Sequence, residues 1–217
     1  MFKLECKSLS LVLFILFLKE KLMKKNIFIA IDGVDGIGKT TTARNLSLPN
    51  NFCYYRPGSS IYFSKKINNE KKEASLSVLE KYACWRVCIQ YDSIQISRLL
   101  KETSVVCDGY IATRLAYFIS QDERIGYIQN NNNMLKPDFS FLLHAKSEAR
   151  NKRILECKYQ DAVTTIDNLY LDRVQDILKS RLRKQLDLVA INSSKLTTVD
   201  VNNFIKRHIE EQTRANR

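Results

Sequence analysis

Phe28-Ile29-Ala30-Ile31-Asp32-Gly33-Val34-Asp35-Gly36-Ile37-Gly38-Lys39-Thr40-Thr41-Thr42 decides how the rest of the chain is read. Its opening residues are continuously apolar and β-branched rather than alternating, the mark of a strand buried on both faces. Gly33 to Thr40 then meets the pattern Gly-x-x-x-x-Gly-Lys-Thr. Lys39 to Leu48 follows with a helical pattern that stops near Pro49. A strand, a glycine-rich turn and a helix in that order make a phosphate-binding loop. The glycines let successive N–H groups turn inward and form a concave nest for anions. The helix beginning at Gly38 adds the positive end of its dipole. Gly33, Val34, Asp35, Gly36, Ile37, Gly38, Lys39, Thr40 and Thr41 are therefore expected to grip the phosphates of ATP. In this reading Lys39 reaches the β- and γ-phosphates and Thr40 offers its hydroxyl to Mg²⁺.

Outward from the loop, strands and helices alternate. Residues 26–32, 52–56, 103–108, 138–144 and 186–192 read as strands. Residues 39–48, 74–102, 110–120, 145–156, 166–183 and 199–211 read as helices. Such alternation predicts an α/β fold of the P-loop NTPase type, a five-stranded parallel sheet with helices on both faces. Ligands then bind outside the carboxyl ends of the strands. Asp108 closes the apolar run Val105-Val106-Cys107 at such an end. Beside the phosphate loop it would hold Mg²⁺ or orient an acceptor phosphate; the competing reading is a turn-forming Asp ahead of Gly109.

At 217 residues the chain fits one domain able to bury a core. The net charge of +12 suits anionic small substrates in part and a solvated lysine-rich face in part. No Lys/Arg run exceeds two residues and no aromatic-interleaved basic stripe occurs, which argues against nucleic acid as a specific partner. Cys53 and Cys107 lie in strand patterns and read as small buried hydrophobes in a reducing cytoplasm. No CxxC pair or histidine cluster suggests zinc.

Leu9 to Leu18 is an apolar run of ten, half of the ~20 residues that cross a bilayer. Residues 1–22 are read as an upstream extension without function, and 23–217 as the working domain. A weak membrane anchor is the competing reading.

The loop resembles the signature of thymidylate kinases, in which an Asp inside the loop precedes Gly-x-Gly-Lys-Thr-Thr. Further segments resemble that family in its order: Arg56-Pro57-Gly58, Tyr82-Ala83-Cys84-Trp85-Arg86, Asp108-Gly109-Tyr110 with Leu115-Ala116-Tyr117, Pro137-Asp138, and Val189 to Asn192 with Ser194-Lys195. The likeness runs from about Asn26 to the end. It implies a kinase with a short lid that moves the γ-phosphate of ATP to a pyrimidine deoxynucleoside monophosphate, dTMP above all. It also implies Mg²⁺, small nucleotide substrates and a homodimer formed through long helices. Asp35 would accept from the sugar 3′-hydroxyl, Tyr82 would stack on the base, Arg86 would donate to its carbonyl edge, and Tyr117 would lie under the sugar. The bland reading of Tyr82 and Arg86 is a packing residue and its solvated neighbour, four apart on one helix face.

Three departures from the family pattern bear on catalysis. Gly109 stands where the family has an arginine for the acceptor phosphate, and Arg114 is the candidate substitute. Tyr55 stands where the family has the arginine of its Pro-Gly turn, and Arg56 is displaced by one residue, which reverses a strand side chain. Gly36 leaves the loop without an arginine, so the resemblance asks for lid arginines, and Arg150 and Arg153 lie just before a lid that carries Lys158. Arg153, Lys39 and Asp108 are the candidate catalytic groups. The alternative function is a nucleotide-binding relative with weak turnover or none, since phosphoryl transfer is mostly positioning and charge stabilisation.

Overall fold

The computed structural model describes residues 26–58, 76–127, 134–156 and 168–215. Residues 1–22 and Lys158 fall outside them.

Five strands form one parallel sheet in the order β2-β3-β1-β4-β5. They are β1 (Phe28–Asp32), β2 (Cys53–Tyr55), β3 (Val105–Asp108), β4 (Phe139–His144) and β5 (Val189–Asn192). The strand that feeds the phosphate loop is thus central, and β3 is its direct neighbour, with Ile31 opposite Asp108. Every residue of β1 is buried, as a strand covered on both faces requires. The helices are α1 (Lys39–Ser47), α2 (Val78–Leu99), α3 (Ile111–Gln121), α4 (Ser147–Glu156), α5 (Asn168–Ile177) and α6 (Thr198–Ala215). α5 widens into π-turns at Leu178–Leu182 before a last turn at Arg183–Gln185. α1 packs on α6, while α3 packs on α2 and α5, so the sheet carries a helical layer on each face.

All five strands and all six helices stand where the sequence places them. The ends differ by a few residues. α2 starts at Val78 because Ser77 and Glu80 form a capping box, each accepting from the other's backbone N–H. Pro49 falls inside a 3₁₀ turn, Leu48–Asn50, that ends α1. Cys107 is buried in β3 and Cys53 is half-buried in β2. Among the described residues no helix is long and apolar enough to cross a membrane.

Candidate active site

The first device of the site is a carboxylate that sequence reading missed. Asp32 ends β1 fully buried and accepts from the N–H groups of Tyr110 and Thr113 at 2.9 Å each, and from Thr113 Oγ1 at 2.6 Å. Thr113 Oγ1 in turn accepts from Gly33 N–H at 3.0 Å. Asp32 therefore caps α3 from another element and ties it to the first residue of the loop. Burial pushes its carboxyl up, against the pull of the Thr113 and Tyr110 donors. Each buried donor left unpaired by its loss would cost about 1–3 kcal/mol. The available signal was an Asp directly ahead of the loop glycine.

The loop closes over the ammonium of Lys39. Its Nζ donates to Val34 O at 2.9 Å and to Asp35 Oδ1 at 3.3 Å, with the lysine side chain 11% exposed. Asp35 Oδ2 accepts from the Tyr117 hydroxyl at 2.9 Å. Burial opposes the charge on Asp35, but the Lys39 ammonium and the Tyr117 hydroxyl outweigh it and hold the carboxyl below its usual value. Burial and the adjoining Asp35 push the Tyr117 phenol up, so it stays a donor. The structure thus brings Asp35, Lys39 and Tyr117 together. Arg114 lies on the exposed side of α3, close enough for its charge to act on Asp35.

On the other side of the loop, Thr40 Oγ1 donates to Asp108 Oδ2 at 2.7 Å. The β3–β1 pairing places this carboxylate beside the loop, so it is more than a turn residue. A hydroxyl and a carboxylate are hard oxygen donors of the kind Mg²⁺ prefers, and that ion usually takes one or two protein groups and completes its shell with water and phosphate. Among the described residues no cluster of three His, Cys, Asp or Glu forms a self-sufficient metal cage. The pair fits a cation that arrives with a polyphosphate.

α4 lies across the loop. Gly36 has φ +76°, and a Cβ there would stand 2.5 Å from Ile154 Cγ1 and 3.3 Å from Arg150 Cγ. An arginine at this position is excluded by backbone and neighbours alike. Of the two arginines ahead of the lid, only Arg153 faces the loop: it donates to Ile37 O at 3.3 Å, to Ser193 Oγ at 3.0 Å and to Ser193 O. Arg150 is fully buried and spent elsewhere, donating to Asp172 Oδ1 at 2.8 Å and Asn168 Oδ1 at 3.2 Å. Ser147 Oγ also meets Asp172, at 2.9 Å, so this carboxylate joins α4 to α5.

Three sequence candidates sit further out. Tyr82 is 2% exposed and packs with Trp85 and Phe118, its ring centroid 5.7 Å and 5.5 Å from theirs. Its hydroxyl is buried, with no hydrogen-bond partner among the described residues. Arg86 is half-buried one turn along α2. Arg56 is exposed, while Tyr55 donates to Asp92 Oδ1, and Gly58 N–H donates to Asp92 Oδ2 at 3.2 Å. Burial raises the Asp92 carboxyl against those two donors. The one-residue displacement has turned the arginine outward and put a phenol inward, and Asp92 pins the turn in its place.

Fold and site together define a phosphate-loop kinase acting on nucleoside monophosphates. The family model for thymidylate kinase matches residues 31–205. The chain is 30% identical over 191 residues to a protein of Methanocaldococcus jannaschii named "Probable thymidylate kinase", across 84% of this chain and 95% of that one. A protein of the same name from Staphylothermus marinus is 30% identical over 125 residues, 54% of this chain and 62% of that one. Among solved structures, thymidylate kinase from Candida albicans superposes with a TM-score of 0.70 at 22% identity, covering 87% of this chain and 93% of that one. Deoxyadenosine kinase from M. mycoides superposes at 0.61 and 16% identity, covering 85% and 100%; both structures speak for the fold. The chain belongs to the thymidylate kinase family.

Proposed function

We propose that the chain transfers the γ-phosphate of ATP to a pyrimidine deoxynucleoside monophosphate, with dTMP the first candidate. The observation that carries this is the two-sided loop: Lys39 with Asp35 and Tyr117 on one flank, Thr40 with Asp108 on the other. In this reading residues 33–41 hold the triphosphate. Lys39 leaves Val34 O and Asp35 for the β- and γ-oxygens. Asp35, freed of that contact, accepts from the acceptor sugar, with Tyr117 fixing its second oxygen. Thr40 and Asp108 would hold Mg²⁺, which would offset charge on the transferring group. Arg153, already against the loop, supplies positive charge from the α4 side. Arg114 and Arg56 are assigned to the acceptor phosphate and Arg86 to the base edge; Tyr82, 2% exposed against Trp85 and Phe118, stacks on the base only when that packing opens. The work takes place in the cytoplasm, with residues 1–22 an appendage to the domain of 23–217.

The alternative, a nucleotide-binding relative with little turnover, is favoured by Gly109. Its φ is +75°, so the backbone at the family's arginine position has itself moved into a conformation that disfavours a side chain. Coupled ADP release across dTMP, dUMP and dCMP separates the two. The first reading expects turnover with at least one acceptor, and binding of ATP without any ADP above background sinks it. Arg86→Ala should raise the acceptor KM by about tenfold or more, the loss of one charge-assisted hydrogen bond, and leave the KM for ATP near native. An unchanged acceptor KM removes Arg86 from the base site.

The partner is a second copy of the chain. Val87, Tyr91 and Ile94 follow one another at helical spacing on α2 and are 54%, 41% and 52% exposed. An apolar stripe on the long helix suits the face-to-face pairing implied by the family. Sedimentation velocity should show about twice 25.2 kDa for the native chain and a monomer for Val87→Glu; a native monomer at micromolar concentration overturns the pairing.

A further inference from the structure

Tyr54 stands in the middle of β2, half-buried, at a position for which the phosphate-loop pattern asks nothing. Its hydroxyl donates to Asp108 Oδ2 at 2.7 Å, the same oxygen that Thr40 Oγ1 reaches at 2.7 Å. The Arg44 guanidinium lies 5.4 Å from the centroid of the Tyr54 ring. Arg44 is one helical turn beyond Thr40 on the same face of α1. Arg44, Tyr54, Asp108 and Thr40 therefore form one continuous chain of contacts across α1, β2 and β3.

A threonine hydroxyl has one proton and two lone pairs. With its proton given to Asp108, Thr40 has only lone pairs left to present, which is what a cation requires. That state needs Asp108 to stay turned toward Thr40. A carboxylate at a strand end rotates freely unless something holds it, and two donors converging on one oxygen do so. Gly109 supplies no side chain for this purpose. Tyr54 supplies the second donor, from a strand rather than a loop, and the cation over its ring resists its swinging out.

We infer that Tyr54 is a positioning residue: it locks the Asp108 carboxylate in the orientation that makes the Thr40 hydroxyl a ligand for the Mg²⁺ carried by ATP. This rests on the nucleotide-binding reading above. It adds a third residue to the cation side of the site, acting through Asp108 without touching the nucleotide.

Calorimetric titration of ATP, with excess Mg²⁺ and again with a chelator, tests it on the native chain, Tyr54→Phe and Asp108→Asn. Without Mg²⁺, Tyr54→Phe should bind ATP within about twofold of native, since the loop amides and Lys39 are untouched. The gain in affinity from Mg²⁺ should shrink about tenfold in Tyr54→Phe, the scale of losing a group that orients a metal ligand, and at least as much in Asp108→Asn. If Asp108→Asn loses the gain and Tyr54→Phe keeps it, the inference is overturned and the cation site stands. If both keep it, the cation site falls too. A lowered melting temperature in Tyr54→Phe with a native Mg²⁺ gain makes the tyrosine a packing residue and likewise overturns the inference.

Discussion

Lys39→Ala is expected to lower turnover by about 10³-fold or more, the scale on which a single cation at the transferring phosphoryl acts. The lysine side chain is 11% exposed and its ammonium is held by Val34 O and Asp35, so the charge is already delivered to the mouth of the loop. Alanine keeps the helix and leaves the amide nest intact. Asp35 retains the Tyr117 hydroxyl. The variant should therefore fold, melt close to the native temperature, bind ATP more weakly and release almost no ADP in the coupled assay. Turnover within tenfold of native would mean that another group carries the charge, with Arg153 the first suspect.

Gly36→Ala is expected to damage both stability and ATP binding. The left-handed backbone at φ +76° costs about 1–2 kcal/mol with a Cβ. The new methyl also meets Ile154 Cγ1 at 2.5 Å, so α4 must lift or the loop must flatten. Overpacking of this kind costs about 1–3 kcal/mol more. At ~2–4 °C per kcal/mol for a domain of this size, the melting temperature should fall by several degrees. Arg153 rides on α4, so a lifted helix also takes its contacts with Ile37 and Ser193 away from the loop. The double variant Gly36→Ala with Ile154→Ala should recover the steric part and leave the backbone part. A single Gly36→Ala variant that melts and binds ATP like the native chain would show that α4 does not press on the loop in solution.

How far the sequence could be read follows from the range of the interactions involved. β1, the loop and α1 carry their signal within one contiguous stretch, Phe28 to Ser47, and they stand where expected. Asp108 was visible because β3 is an apolar run that ends in a carboxylate. Arg153 was the arginine chosen from the sequence, but the reason to prefer it over Arg150 is visible only in three dimensions, since the two differ by one turn and Asp172, which claims Arg150, is 22 residues away. Tyr54 and Asp92 were invisible for the same reason: their partners lie 54 and 37 residues away, and neither belongs to a spaced pattern. The stacking role of Tyr82 came from the family resemblance, beside a bland packing reading; its contact with Phe118 depends on α3, which no pattern in α2 announces.

The place of β1 in the middle of the sheet has a consequence during synthesis. This strand leaves the ribosome first, yet hydrogen bonds from its edge reach Ser104 and Asp138, 77 and 110 residues downstream. The nascent chain must therefore carry an apolar, unpaired strand until more than half of the domain has emerged. Such delayed long-range pairing is slow and exposes a sticky segment. Newly made chains should depend on holding factors until β4 arrives, and any truncation upstream of Phe139 should yield aggregates rather than a smaller nucleotide binder.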